Sequence, residues 1–189
     1  MAYFPMMIEL SEKPVLVIGG GEEGSKKVRI LQGFGAHITL VCEKADPDAV
    51  ALSKRVIEAS FAEEMMDLEE FVLVVAATND REVNQRVSEL SRQRAIPVNV
   101  VDDVALCTFI FPAIYQDQDV VCAVSSGGKS PYVAQYIRDR LKEVLPTHIG
   151  QINAQMGEFR KEVKERVADP AMRRRLLRER FDALIQDEN

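Results

Sequence analysis

The 189-residue sequence predicts an α/β fold built on a parallel sheet, and three observations predict it. Short continuous apolar runs, Val15–Ile18 and Phe71–Ala77, read as strands covered on both faces. Stretches with apolar residues at helical spacing lie between them, Val83, Val87 and Leu90 being the clearest. A glycine-rich segment, Gly19-Gly20-Gly21-Glu22-Glu23-Gly24, sits where the first strand would turn into the first helix. Alternation of this kind implies βαβ units with right-handed crossovers.

The elements follow in order. After Val15–Ile18, the spacing of Gly24, Val28 and Leu31 predicts a helix, with Gly33 and Gly35 marking its end. His37–Val41 reads as the second strand and Val56-Ile57 as a short third. Phe71–Ala77 is the next strand, and Asn79 and Asp80 supply capping side chains for the helix that carries Val83. Pro97–Val101 is a further strand. Near residue 112 the pattern changes. Val120–Val124 is a strand, Ser125–Ser130 a polar glycine loop, and Pro131–Val144 a helix that starts at a favoured proline and stops before Pro146. Residues 148–189 show no strand signal. Phe159, Val163 and Val167 form one helical face there, and Asp169-Pro170 opens a last helix with Leu177, Phe181, Leu184 and Ile185 inside.

Bulk properties narrow the function classes. The net charge of −6 argues against nucleic acid as a partner, because such a surface concentrates lysine and arginine on one face. The run Arg173-Arg174-Arg175 with Arg178 and Arg180 is interrupted by acids and reads as a solvated helix face. No apolar run approaches the roughly 20 residues of a membrane span, and the first residues lack the pattern of a signal peptide. A cytoplasmic protein without membrane association is therefore expected. Cys42, Cys107 and Cys122 contain no C-x-x-C pair, so they read as small buried residues. His37 and His148 have no ligand partner at useful spacing, and no metal site is expected.

The glycine segment fits G-x-G-x-x-G, the dinucleotide-binding fingerprint of a Rossmann domain. Gly19 permits the tight turn, Gly21 lets a pyrophosphate approach the backbone, and Gly24 lets helix pack on strand. The helix N-terminus then offers free N–H groups to the phosphates. Glu43, about 20 residues on, is placed to accept from both hydroxyls of the adenosine ribose, which favours NAD over NADP. A solvated loop charge is the other reading of Glu43. Thr78, after the small residues Ala76-Ala77, either bonds the dinucleotide or helps cap the next helix.

Two further segments suggest chemistry. Asn99-Val100-Val101-Asp102-Asp103 sets two carboxylates beyond a strand's carboxyl end, on the edge that carries the glycine loop. One of them, part-buried or raised by its neighbour's charge, suits a general base beside a nicotinamide; both otherwise cap a turn. Ser125-Ser126-Gly127-Gly128-Lys129-Ser130-Pro131 opens a helix with hydroxyls, N–H groups and a lysine. That is either an anion site or a plain capped turn, and it lacks Walker A spacing.

Taken together in this order, these segments, with Lys26-Lys27 and Phe109-Ile110-Phe111-Pro112-Ala113-Ile114, resemble the precorrin-2 dehydrogenase family, the siroheme-synthase N-terminal module. The resemblance covers about residues 3–145. It implies NAD-dependent oxidation of precorrin-2 to sirohydrochlorin by a homodimer. It also implies three parts: an NAD-binding Rossmann domain at 1–112, a small α+β dimerisation and tetrapyrrole-facing segment at 113–147, and a C-terminal helical region at 148–189. Carried over by resemblance, Gly19, Gly21, Glu22, Glu23, Gly24, Glu43, Lys44 and Thr78 line the NAD site. Asp102 is the family's important aspartate, and Ser126, Gly127, Lys129 and Ser130 face the tetrapyrrole. Glu23 departs from the small apolar residue common in the family and adds repulsion toward the phosphates. The methyltransferase module fused in some relatives is absent from this sequence. A bifunctional dehydrogenase and sirohydrochlorin ferrochelatase, and a non-catalytic tetrapyrrole or nucleotide carrier, are the alternative readings.

Overall fold

The computed structural model describes residues 3–186. The chain divides into two compact units, one reaching to Phe111 and one beginning at Pro112. In the first, β1 (Pro14–Ile18), α1 (Glu22–Gly33), β2 (His37–Cys42), α2 (Pro47–Leu52), β3 (Arg55–Glu58), β4 (Leu73–Ala76), α3 (Arg81–Gln93) and β5 (Val98–Val100) follow one another. All five strands are parallel, in the order β3-β2-β1-β4-β5. Ile18 pairs with Val41 on one side and Ala76 on the other, so the strands end level.

The apolar runs behave as strands covered twice. Val15 and Val17 face a cluster with Val28 and Leu31 of α1, while Leu16 and Ile18 face one with Val87 and Leu90 of α3. Each such side chain contributes about 1.5–3 kcal/mol by leaving water, which is why short strands suffice here. Strand order reverses between β1 and β4, and open α/β sheets bind ligands in the crevice such a reversal leaves.

Several elements differ from expectation in extent. The predicted Phe71–Ala77 and Pro97–Val101 strands shorten to β4 and β5, with Phe71 buried but outside the ladder. Helix α2 was not anticipated. Asp46 caps it, accepting from Asp48 N–H at 2.9 Å, and Pro47 starts it. Asp80 alone is the N-cap of α3, accepting from Glu82 and Val83 N–H. Of the cysteines only Cys42 is buried; Cys107 and Cys122 are half-buried.

The free edge of β5 is closed by the chain that follows it. Thr108 Oγ1 accepts from Val98 N–H at 2.8 Å, and Cys107 Sγ accepts from Val100 N–H at 3.1 Å. Thr108 N–H donates to the Val98 carbonyl at 2.8 Å. From the α3 side, Ser88 donates to the Leu106 carbonyl and Arg92 to the carbonyls of Ala105 and Cys107.

In the second unit, β6 (Ala113–Asp117) and β7 (Val120–Val124) form an antiparallel hairpin. Helices α4 (Pro131–Val144), α5 (Ile149–Arg166) and α6 (Pro170–Gln186) follow. Strand β6 was not anticipated, because its turn has no glycine and Gln118 supplies the positive φ of 51°. Asp117 Oδ2 accepts from Gly150 N–H at 2.7 Å and so caps α5 from the hairpin. Helix α6 departs from its expected inside face. It has no buried residue, and Phe181 is 41% exposed. Its arginines pair along the helix, Arg175 with Glu179 and Arg178 with Asp182. Among the described residues no helix is long and apolar enough to cross a membrane.

Candidate cofactor and active site

The turn from β1 into α1 is drawn tight against two other strand ends. Gly19 has φ +109°, and a Cβ there would lie 2.3 Å from the Ala77 carbonyl oxygen. A Cβ on Gly24 would lie 1.9 Å from the Gly19 carbonyl oxygen. Gly21 is different: apart from its own chain neighbours, nothing comes within 4 Å of where its Cβ would be. The first glycine and the last are therefore needed by the protein itself, and the middle one leaves open space.

The start of α1 is also chemically open. Helices α2, α3, α4 and α6 each begin under a capping side chain, from Asp46, Asp80, Ser130 and Asp169 respectively. Helix α1 begins at Gly21 with no side-chain cap, which leaves its first-turn N–H groups directed at whatever lies before them. An anion satisfies both the donors and the helix dipole.

A half-open cleft of about 450 Å³ lies in front of this turn, lined by Gly19, Gly21, Glu43, Lys44, Ser60 and Thr78 among others. Glu43 stands just beyond β2 and accepts a hydrogen bond from the Ser60 hydroxyl, which fixes one carboxylate oxygen. Ser60 gave no sequence signal. Thr78 is held by Asn84 of α3, which no motif in the sequence marks. The Thr78 hydroxyl reaches Asn84 Oδ1 at 2.7 Å, and Asn84 Nδ2 donates to the Thr78 carbonyl at 2.9 Å. A polar residue on the buried face of α3, beside Val87, was the available signal.

Glu22, Glu23 and Gly24 lie on the first turn of α1 rather than in the cleft wall. Lys26 Nζ lies 2.9 Å from Glu22 Oε1 and 2.6 Å from Glu23 Oε1. Its hydrogen bonds to both acids raise the Lys26 pKa above the ordinary lysine range, and they hold the Glu22 carboxyl below its usual value. The repulsion expected of Glu23 is thereby offset by a cation one turn away.

Asp102 follows β5 on the same carboxyl edge, with φ +60° in a turn where glycine is the usual occupant. It is exposed. The burial anticipated for this pair falls to Asp103, whose side chain is 25% exposed and 3.5 Å from Arg81. Parallel pairing from β2 to β5 puts Gly19, Glu43, Thr78 and Asp102 on one edge of the sheet.

The loop Ser126–Ser130 belongs to the second unit. Ser126 Oγ donates to the Ser130 carbonyl at 2.7 Å and accepts from Ser130 N–H at 3.0 Å, while Ser130 Oγ caps α4 at Val133. Gly127 and Gly128 both take positive φ, and Lys129 is exposed at the loop surface. Among the described residues no group of three or more His, Cys, Asp or Glu is arranged to hold a metal ion.

Comparison with known proteins agrees with this geometry. A family described as "Putative NAD(P)-binding" matches residues 6–113. A siroheme synthase of Nitrosospira multiformis is 41% identical over 181 residues, which is 93% of this chain and 38% of that protein. A siroheme synthase of Methylobacillus flagellatus is 39% identical over 190 residues, 100% of this chain and 41% of that protein. The chain thus spans about two fifths of the length of these curated relatives. The fold matches the solved structure titled "SirC, precorrin-2 dehydrogenase" with a TM-score of 0.73 and 24% identity, covering 94% of this chain and 88% of that one.

Proposed function

The chain belongs to that NAD(P)-binding family, and from this premise we propose that it oxidises precorrin-2 to sirohydrochlorin with NAD, in siroheme biosynthesis. The observation that carries the reading is the uncapped start of α1 behind Gly21, opening on a cleft that ends at Glu43. Siroheme synthase relatives and the SirC-like fold support the substrate.

The residues fit the cofactor. First-turn N–H groups of α1 and the open space at Gly21 receive the pyrophosphate, with Gly19 and Gly24 shaping the turn. Glu43 accepts from the ribose hydroxyls and repels a 2′-phosphate, so NAD is preferred. Lys44 and Thr78 close the cleft wall, and Glu22 and Glu23 stand on the first turn of α1 beside the pyrophosphate with their charges met by Lys26. NAD, when bound, supplies the hydride acceptor. Asp102, exposed on the cofactor edge, takes the proton that leaves the macrocycle. Ser126, Gly127, Lys129 and Ser130 meet peripheral carboxylates of the substrate, Lys129 contributing the charge. Much of the acceleration comes from holding two rings in register.

The protein acts as a cytoplasmic homodimer in this reading. Residues 113–147 pair the subunits and face the tetrapyrrole, between the NAD-binding part at 1–112 and the helical region at 148–189. An exposed apolar face on α4, formed by Tyr132, Val133, Tyr136 and Ile137, supports a pairing role. The test is anaerobic turnover of enzymatically made precorrin-2 with NAD, following NADH absorbance and the tetrapyrrole spectrum together. Joint appearance of NADH and sirohydrochlorin, abolished in Asp102→Ala, is expected. Absence of turnover by folded protein with competent substrate overturns the reading.

A further inference from the structure

Helix α1 carries two adjacent lysines with opposite circumstances. Lys26 is exposed and paired with two glutamates. Lys27 points the other way, half-buried, with its Nζ 4.5 Å from the centre of the Phe111 ring. Phe111 leans on Phe109, ring centres 5.3 Å apart, and both pack against the α1 side of the core. Among the described residues no carboxylate stands within salt-bridge distance of Lys27.

We propose that Lys27 is a substrate-anchoring residue that takes one peripheral carboxylate of the tetrapyrrole beside Asp102, an assignment that rests on the proposed dehydrogenase function. Three features support it. The aromatic floor fixes the ammonium without neutralising it, so its charge remains available to a ligand. Phe109, on which Phe111 leans, is tied to the end of β5 by Asn99 Nδ2, which donates to its carbonyl at 3.2 Å, so the aromatic floor under Lys27 adjoins the strand that Asp102 follows. Burial pushes the Lys27 ammonium below the ordinary lysine value against the pull of Glu23 and Asp102, with Lys26 opposing them and Cys107 adding a small pull. A half-buried ammonium over an aromatic ring, with no carboxylate in salt-bridge distance among the described residues, is short of a counter-ion, and an octacarboxylate supplies one.

The chemistry is specific. Asp102 on its own repels a substrate bearing eight carboxylates, and the net charge of −6 adds to that repulsion. A lysine anchored over the aromatic floor near the end of β5 offsets the repulsion locally, and its fixed position on α1 sets where one substrate carboxylate can sit. No covalent step is involved.

The test compares Lys27→Met, which keeps the apolar stem on Phe111, with Lys27→Arg. For each variant, KM and kcat for precorrin-2, Kd for NAD, and Kd for uroporphyrin as a stable octacarboxylate probe are measured. Folding is checked by urea unfolding. Lys27→Met is expected to raise KM and the uroporphyrin Kd on the order of tenfold, the loss of one charge-assisted bond. Its kcat and NAD affinity stay near wild type, and Lys27→Arg recovers most of the loss. An unchanged KM in an enzyme that turns over, or a collapse of kcat with KM unchanged, overturns the assignment alone. If the wild type does not oxidise precorrin-2, the dehydrogenase reading falls. The uroporphyrin arm then decides Lys27 separately: weakened binding in Lys27→Met keeps it as a carboxylate anchor, and equal binding removes it.

Discussion

Replacing Gly24 with alanine sets two opposing energies against each other at the cofactor turn. Alanine favours a helix interior over glycine by about 1 kcal/mol. The new methyl, however, meets the Gly19 carbonyl oxygen at 1.9 Å, with the Gly19 carbonyl carbon at 2.9 Å. Ordinary carbon–oxygen contact begins near about 3.3 Å, so the start of α1 and the β1 turn must part by roughly 1.4 Å. Both partners are backbone, and overpacking of that kind costs about 1–3 kcal/mol or more. The net expectation is a loss of up to about 2 kcal/mol. For a unit this size that lowers Tm by roughly 4–8 °C per kcal/mol. The same shift moves the first-turn N–H groups, so the NAD Kd should rise at least about tenfold. Gly21→Ala is the control: its φ of −69° suits any residue and, apart from its own chain neighbours, nothing lies within 4 Å. It should change stability by less than about 0.5 kcal/mol while still weakening NAD. Circular dichroism melts and calorimetric NAD titrations read both quantities. A Gly24→Ala protein as stable as the native one with unchanged NAD affinity would refute the steric argument.

Four other outcomes follow from the geometry. Glu43→Ala should weaken NAD on the order of tenfold and narrow its advantage over NADP, measured by titration with both; equal discrimination would remove Glu43 from the ribose site. Asp117→Ala should cost the second unit about 1 kcal/mol and speed hydrogen exchange at the Gly150 amide, which loses its acceptor. Cys42 and Cys107 should alkylate more slowly at pH 8 than a free thiol, because burial pushes both thiols up, and mass spectrometry of iodoacetamide-treated protein reads this. The Lys27 pKa is lowered in the folded chain, so the unfolded chain binds that proton more tightly. Native stability from this group therefore rises as pH climbs from the depressed value to the ordinary lysine value. Lys27→Met should be no less stable than wild type at pH 7, and the wild-type-minus-variant difference should shift in favour of wild type toward pH 10 by urea midpoints.

Much of the first unit was legible because burial on both faces writes itself as unbroken apolar runs, as in Val15–Ile18. Val56-Ile57 marked β3 although it is an edge strand and both residues are only half-buried. Helix α2 does not stand out in the sequence although Asp46-Pro47 is the same start signal as Asp169-Pro170. Six residues give too little periodicity to draw attention to their cap. The β6–β7 hairpin hid behind Gln118, a residue with no turn preference that is forced into positive φ by the pairing on either side. In the site, the glycine roles and the carboxyl-edge grouping follow from strand polarity alone. The partners Ser60 and Asn84 do not, since they arrive from segments 17 residues beyond Glu43 and 6 beyond Thr78. Asp102 stood out as a carboxylate, but its exposure and its left-handed backbone depend on how the loop after β5 is tied down. Of the α6 face, Leu177, Leu184 and Ile185 are half-buried and Phe181 is exposed, because helical spacing shows which residues share a face and not how far anything covers it.

That loop has a consequence for solubility. An open parallel sheet ends in a row of outward-facing N–H groups, a template on which another chain can add a strand and start a fibre. Here Thr108 Oγ1 and Cys107 Sγ occupy the donors of Val98 and Val100, so β5 offers an incoming strand little to bind. A thiol and a hydroxyl therefore act as guards against self-association. Oxidising Cys107 would release one of those N–H groups and give the edge a foothold for aggregation that the reduced protein lacks.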